Sequence, residues 1–254
     1  MKSLVLIVQA VLLSSIAFSQ NDELIKEWRT ISEFRSINMT GNFELYIIQD
    51  NKYELTIEAE KSVMNSIVTN ISGKTLYIKP ENYMKIKSLN PVKIYVRMPE
   101  LRKISLSGSG LVKAIGLKCS NLEIEMYGTG NINIDELITE FLNTSAFGAG
   151  KIELDVDATN INVNVTGTGS VELKGNCPQI QLYINGTGNI NTAQMMSEDC
   201  KAQIIGTGNI FTASSKYLSA AIYGTGNVYY TFDPEISFNS LGTGRVIKQS
   251  KSTL

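Results

Sequence analysis

Along residues 102–248, apolar and polar positions alternate, and the alternation restarts every 18–20 residues. The most uniform position lies four residues after a recurring glycine, and it is apolar in every repeat: Val112, Ile132, Ile152, Val171, Ile190, Ile210, Val228 and Val246. Positions two, four and six before the same glycine are also mostly apolar. A period of two is that of a half-buried strand, so each repeat predicts one strand before the glycine and one after it.

The recurring glycine opens a Gly-x-Gly pair in each of eight repeats, beginning at Gly108, Gly128, Gly148, Gly167, Gly186, Gly206, Gly224 and Gly242. These pairs hold sixteen of the 20 glycines, so glycine marks corners here and is not linker filler. A fixed period of this size predicts a solenoid. We therefore predict an all-β fold: a right-handed parallel β-helix of about eight 18–20-residue coils, with successive coils ~4.8 Å apart.

Two other positions define the corners of each coil. Pro178 and Pro234 share the place eight before the glycine, where a second turn is expected because proline does not suit a central strand. Between the glycines stands Thr in six coils, and Asn131, Asn189 and Asn209 are among the residues that follow the corner. These Thr and Asn ladders have two readings: they hold the stack together, or they form a ligand-binding edge.

Residues 34–101 lack the glycine pairs but contain short strand-like runs, namely 43–48, 53–59, 67–71, 76–79 and 92–98. They predict either an antiparallel sheet or irregular early coils, and either would cap the first coil. The expected organisation is a signal peptide at 1–19, a lead-in at 20–33, a β-rich N-terminal part at 34–101, the repeats at 102–248 and a polar tail at 249–254.

The first residues have the charged start and short apolar core of a secretory leader, and no later stretch is long enough for a membrane helix. We expect an exported chain that is periplasmic, on the outer cell surface or secreted. Its 23 basic and 24 acidic residues give no electrostatic footprint for nucleic acid. The absence of His removes the commonest general base and metal ligand, so we predict no enzyme activity, no cofactor and no metal.

Three cysteines are an odd number for an exported chain. Cys119 and Cys177 share a register position three coils apart, about 14 Å, which is too far for a disulfide. Cys200 falls in an inward column and is out of register with Cys177. We expect three free, mostly structural thiols.

One outward position, directly before the corner, carries large apolar residues. The candidate binding stripe consists of Tyr127, Phe147, Ile205 and Tyr223, with Leu241 in the same column and Tyr183 nearby and also outward. Such a stripe can bind sugar rings, a partner protein or a second copy of the chain, unless a loop or the N-terminal segment covers it.

An alternative site is acidic. Glu153 and Glu172 occupy the same outward position in adjacent coils, a spacing compatible with a glycosidase pair or a calcium site. Asp155 and Lys174, two places further on, should pair as opposite charges, which favours a solvated charged surface over a catalytic cleft.

The Gly-Thr-Gly-Asn-Ile/Val corners at 128–132, 186–190, 206–210 and 224–228, with the segment Val92 to Leu101 before them, resemble the putative auto-transporter adhesin, head GIN domain family of Bacteroidetes. The resemblance implies a β-helix exported to the cell envelope and supplies no catalytic residues. We expect a structural or interaction module that binds a glycan or surface protein. The alternatives are a polysaccharide-acting lyase or hydrolase, or a self-assembling scaffold that associates through the solenoid ends or the stripe.

Overall fold

A computed structural model describes residues 22–82 and 86–250 of the chain. The protein is 73% strand and 2% helix, arranged as a solenoid of about seven turns, which confirms the predicted all-β solenoid. The repeat region has eight glycine corners, from Gly108 to Gly242, with seven full intervals between them. The right-handed sense of the coil stays a prediction from the chirality of parallel crossovers. The predicted signal peptide at 1–19 lies outside the described residues.

The repeat region contains twelve strands that all pair in parallel with their neighbours in the stack. They are β8 (Lys103–Gly108), β9 (Leu111–Ile115), β10 (Lys118–Gly128), β11 (Asn131–Gly148), β12 (Lys151–Gly167), β13 (Ser170–Asn176), β14 (Gln179–Gly186), β15 (Asn189–Gly206), β16 (Asn209–Gly224), β17 (Val228–Thr231), β18 (Glu235–Gly242) and β19 (Val246–Lys248).

These strands form three parallel ladders, which we name by their place relative to the glycine corner. The post-glycine ladder stacks Ile132 on Ile152 and Ile152 on Val171, and all three are buried. The pre-glycine ladder aligns the corner glycines themselves. Between them runs a middle ladder, in which Leu137 pairs with Val156. The sequence pattern predicted the first two ladders and their inward columns; the middle ladder is an additional finding.

The corner requires both of its glycines for a steric reason. Gly148 has φ +127°, and a Cβ there would lie 2.4 Å from the carbonyl oxygen of Gly128 in the preceding coil. A Cβ on Gly150 would lie 2.3 Å from the carbonyl oxygen of Gly130. Because the coils touch backbone to backbone at this edge, any side chain at either place forces them apart.

The second turn differs between coils. Pro178 separates β13 from β14, and Pro234 separates β17 from β18, as predicted. In β11, β12, β15 and β16, which lack a proline at this place, one strand continues from corner to corner through a register shift or bend, whereas β9 and β10 are separated at Gly116 without a proline. Proline ends the strand because it cannot donate to the ladder.

The N-terminal part contains seven strands and one short helix. They are β1 (Leu24–Arg29), β2 (Ser36–Gly41), β3 (Glu44–Gln49), β4 (Glu54–Glu60), α1 (Lys61–Met64), β5 (Ile67–Ser72), β6 (Thr75–Pro80) and β7 (Lys93–Met98). Strands β3 to β7 correspond to the five predicted runs.

This part combines the two arrangements that the sequence left open. Strands β2 and β3 form a coil stacked directly on β8 and β9, with Gly41 aligned on Gly108. Strands β6 and β7 add a further parallel layer outside that coil. Strands β1, β4 and β5 are antiparallel and close the end of the stack. The N-terminal cap therefore begins as solenoid and ends as antiparallel sheet.

The C-terminal end is built differently. Strand β18 pairs only with β16, and β19 only with β17, among the described residues. Ile236 and Phe238 occupy inward columns of the pattern but are 40% and 47% exposed. The last coil therefore presents an unpaired strand edge with part of its core face open.

Candidate binding surfaces

The predicted apolar stripe lies outward on the pre-glycine ladder and is not covered by the N-terminal cap. Tyr127 and Tyr223 are 42% and 39% exposed. Tyr127 and Phe147 sit on adjacent coils with their rings stacked, the centroids 4.9 Å apart and the planes 9° from parallel. The stripe is therefore available for contact with a ligand.

The structure divides this stripe into two clusters. Thr166 and Asn185 occupy the same column between Phe147 and Ile205, so the Tyr127–Phe147 pair is separated from the cluster of Ile205, Tyr223 and Leu241. Tyr183 is not part of the column: it lies two places away and aligns with Asn164 and Gln203. The predicted residues share one ladder but do not form one continuous surface.

Amide side chains occupy the outward columns two and four places before the stripe. A groove of 320 Å³ is lined by Asn143, Asn162, Asn164, Gln181, Tyr183, Lys201 and Gln203, with backbone of the same strands. The Nδ2 of Asn162 donates to Oδ1 of Asn143 at 3.0 Å, which joins adjacent coils. We call these residues the amide face. It offers both donors and acceptors, with Lys201 as its one charged member.

The acidic pair occupies the post-glycine ladder. Glu153 and Glu172 are register partners, as predicted. Lys151 binds both carboxylates: it contacts Glu153 directly and lies 3.1 Å from Oε2 of Glu172. The hydrogen bonds to Glu153 and Glu172 raise the pKa of Lys151. The two carboxylates are thus bridged by an ammonium group rather than directed together at a substrate.

The charges beside this pair follow the same pattern. Lys174 pairs with Asp155 at 3.2 Å, which confirms that predicted opposite pair. A groove of 290 Å³ runs along these residues, and Asn133, Asp135, Leu154 and Gln194 also line it. Among the described residues, no group of three or more His, Cys, Asp or Glu side chains could hold a metal ion.

The corner ladders have a structural role that their hydrogen bonds make visible. The backbone N–H of Asn227 donates to Oδ1 of Asn209 at 3.1 Å, and that of Asn209 to Oδ1 of Asn189 at 3.1 Å. This supports the reading in which the Asn ladder holds the stack together. The Thr residues between the glycines are exposed along the same edge.

All three thiols are free, as predicted. Burial raises the pKa of Cys200 to about 12 and that of Cys177 to about 11, and burial also raises the pKa of the half-buried Cys119. A thiol that stays protonated is a poor nucleophile and metal ligand. The cysteines therefore act as small apolar residues.

The sequence interpretation did not identify a second aromatic surface, on the outward side of the N-terminal cap. Tyr46 and Tyr95 stack with ring centroids 5.1 Å apart, and Trp28 on β1 is 75% exposed. The Tyr46 hydroxyl donates to Glu44 at 2.8 Å, and this bond raises the pKa of Tyr46 to about 12. The sequence feature that could have indicated this surface is the single Trp of the chain, which lies two residues after Lys26 in an alternating run.

Residues 33–234 match the model of the family described as putative auto-transporter adhesin, head GIN domain. The chain belongs to this family. The match covers the cap strands from β2 onward and nearly all of the repeats, so both parts of the solenoid are family features. No curated protein matches the chain.

Solved structures from Bacteroidetes share the fold. A putative lipid binding protein from Parabacteroides distasonis is 23% identical with a TM-score of 0.86, covering 91% of this chain and 98% of its own. A putative adhesin from Parabacteroides merdae is 18% identical with a TM-score of 0.84 and the same coverages of 91% and 98%. A putative adhesin from Bacteroides fragilis is 24% identical with a TM-score of 0.65, covering 89% and 97%.

These descriptions name adhesins and a lipid-binding protein rather than enzymes. At such identities the likeness establishes the fold alone. Within 22–82 and 86–250, no helix is long and apolar enough to span a membrane.

Proposed function

We propose that this chain is an exported, adhesin-like module that binds a glycan through the outward side of its pre-glycine ladder. The observation that carries the proposal is the amide face, set beside two exposed apolar clusters on the same ladder. Amides can hydrogen-bond sugar hydroxyls, and aromatic rings can pack on the apolar side of a sugar ring. Membership in an adhesin family supports a role in surface contact.

The lining of the surface grooves favours a sugar over a lipid. The two grooves described above are lined mainly by amide, carboxylate and ammonium groups. An acyl chain would leave these groups without hydrogen-bond partners, whereas a hydroxyl-rich ligand can satisfy them. The similar protein from P. distasonis is described as lipid binding, but we do not propose lipid binding for this chain.

A glycan array with the purified mature chain tests this proposal, followed by calorimetry on any hit. We expect the double substitution Asn162→Ala with Tyr183→Ala to weaken binding at least about tenfold, because it removes an amide and a ring from the groove. Asn121→Ala, on the same ladder but outside the groove, should bind like the parent. An array without hits, or a pull-down that recovers only a surface protein, would reject the glycan assignment.

The alternative of a polysaccharide-acting enzyme depends on Glu153 and Glu172. It has weaker support, because Lys151 bridges the pair. An assay for new reducing ends or unsaturated products tests it directly. Cleavage by the parent that disappears in the Glu153→Gln, Glu172→Gln variant would replace binding with catalysis as the function.

Self-association is a second candidate, favoured by the open last coil. The inward Phe238 is 47% exposed on an edge strand whose only charged residue is Glu235. Such an edge can pair with the same edge of another copy. Light scattering should then show concentration-dependent dimers that Phe238→Lys abolishes. Asn239→Lys, on the same strand but outward, is the matched control.

A further inference from the structure

The outward surface of the N-terminal cap carries a row of aromatic residues. Trp28 pairs with Thr56 across β1 and β4, Thr56 pairs with Tyr95 across β4 and β7, and Tyr95 pairs with Tyr46 across β7 and β3. The order across the sheet is therefore Trp, Thr, Tyr, Tyr, with all four side chains on the outward side. The row lies on the extension of the post-glycine ladder, away from the amide face.

One step of this row lacks a ring. On this surface, rings of neighbouring strands stack with centroids 5.1 Å apart in Tyr46–Tyr95 and 4.8 Å apart in Phe211–Tyr229. Trp28 and Tyr95 are two strands apart, about 9.6 Å between backbones. Thr56 between them has too small a side chain to stack. The gap over Thr56 thus has the thickness of one ring.

Apart from the Tyr46–Tyr95 stack, the two walls of the gap have no aromatic contacts within the part of the chain that the structure describes. Among the residues that the structure describes, Tyr95 stacks only on Tyr46, and Trp28 has no ring partner. Three quarters of the Trp28 surface is exposed to water, so packing within the fold does not explain a tryptophan at this position. A bound ring would cover the free face of Tyr95 and part of Trp28 together.

The polar groups around the gap are already neutralised. Along β4, Thr56 is flanked by Glu58, which pairs with Lys26 at 3.2 Å and Lys93 at 3.9 Å, and by Glu54. Glu54 pairs with Lys52 at 2.7 Å and Arg97 at 3.4 Å. Arg97 also binds Asp50 at 2.8 Å. The three carboxylates of Glu58, Glu54 and Asp50 are therefore each paired with a cation, and Glu44 accepts the Tyr46 hydroxyl.

We propose that the gap between Trp28 and Tyr95 over Thr56 binds a neutral pyranose ring of a glycan. A pyranose presents C–H groups on its faces, which suit two aromatic walls, and hydroxyls on its rim, which suit the flanking carboxylates and ammonium groups. This cap site is separate from the amide face and does not depend on it.

Trp28 is the only tryptophan, so its fluorescence reports this site alone. The purified mature chain is titrated with neutral hexaoses of the cello, malto, manno and chito series. We expect a saturable change in Trp28 emission with at least one of them. Unchanged emission across the panel would overturn the proposal, and so would a response to choline without a response to any sugar, which would assign a cation site.

Two variants sharpen the test, with affinity measured by calorimetry. Thr56→Tyr should fill the gap with a stacked ring, and Tyr95→Leu should remove one wall, and each should weaken binding at least about tenfold. Tyr229→Ala disrupts the comparable Phe211–Tyr229 pair in the repeats and should bind like the parent. Parent-like affinity in both cap variants would overturn the proposal even if one of them were less stable.

The amide face provides the control that separates this site from the proposed function. Asn162→Ala with Tyr183→Ala should leave the Trp28 response unchanged. If instead that double variant abolished the Trp28 response, the cap would not be an independent site and the inference would be wrong. Array binding that persists without any Trp28 response would reject the cap site and leave the proposed function standing.

Discussion

The repeat coils and the N-terminal cap share one sheet but are stabilised in different ways. In the repeats, each coil bonds to a near copy of itself: corner amides donate to the glycine carbonyls of the preceding coil, as Ala149 does to Gly128 at 2.9 Å. In the cap, strands pair in both parallel and antiparallel directions. Of the 18 ion pairs among the described residues, 11 lie before Lys103, so charge is concentrated in the cap.

The difference follows from what each region must do. A coil inside the stack lies between two similar coils. Its backbone N–H and C=O groups therefore bond to equivalent positions of its neighbours. The end of the stack has no next copy, and its edge must be closed by strands of another direction. The coils therefore cannot accept a side chain at their glycine corners, and they contain few ion pairs. The cap depends more on ion pairs than on such close backbone contacts.

The largest expected effect is steric, at the corner. Gly148→Ala should destabilise the protein by about 3 kcal/mol or more, because it combines an unfavourable φ with a backbone overlap. Gly116→Ala is the matched control: its φ is +71° but nothing lies within 4 Å of the new Cβ, so about 1 kcal/mol is expected. Urea unfolding of both variants measures the difference. An equal loss of unfolding free energy in the two variants would show that the coils can separate locally.

A smaller effect of opposite sign is expected inside the repeats. Thr144 lies in an inward column with a fully buried side chain, and its Oγ1 has no hydrogen-bond partner among the described residues. Thr144→Val removes that unpaired hydroxyl at nearly constant volume and should stabilise the protein by about 1 kcal/mol. Thr212→Val is the control, since the hydroxyl of Thr212 donates to Cys200. Destabilisation by Thr144→Val would indicate a bound water at this site.

The smallest effect is a local response of the cap to acid. Glu60 accepts bonds from the backbone N–H of Asn90 at 2.8 Å and from its Nδ2 at 2.9 Å, and the backbone bond is the main cause of the lowered pKa of Glu60. A carboxyl with a lowered folded-state pKa contributes stability above its unfolded pKa, near 4.3, which is lost as pH falls through the folded value. Acid should therefore release the segment around Asn90 before the coils respond.

An NMR pH titration checks this order. The Asn90 amide signal should shift with a midpoint below the ordinary glutamate value, whereas the Asn209 amide, bonded to a neutral side chain, should not titrate. Glu60→Gln should abolish the Asn90 titration. A simultaneous change at Asn209 would mean that cap and coils open as one unit.

The sequence predicted most of the repeat region because every coil repeats the same pattern of apolar and glycine positions. The column of Ile132 and its counterparts, the proline turns and the free thiols all followed from register. The five strand runs of the cap were also recognisable, since alternation is a local signal. The Glu153–Glu172 register was predicted, but the position of Lys151 between them needed side-chain coordinates.

The arrangement of the cap required the tertiary structure. Gly41 is a corner glycine aligned on Gly108, 67 positions later in the chain, yet Phe43 stands where its second glycine would be. Strand β7 lies between β3 and β4, which precede it in the chain. Periodicity determines which side of a strand faces inward. Which strands become neighbours depends on long-range pairing, and that pairing alone places Trp28 across Thr56 from Tyr95.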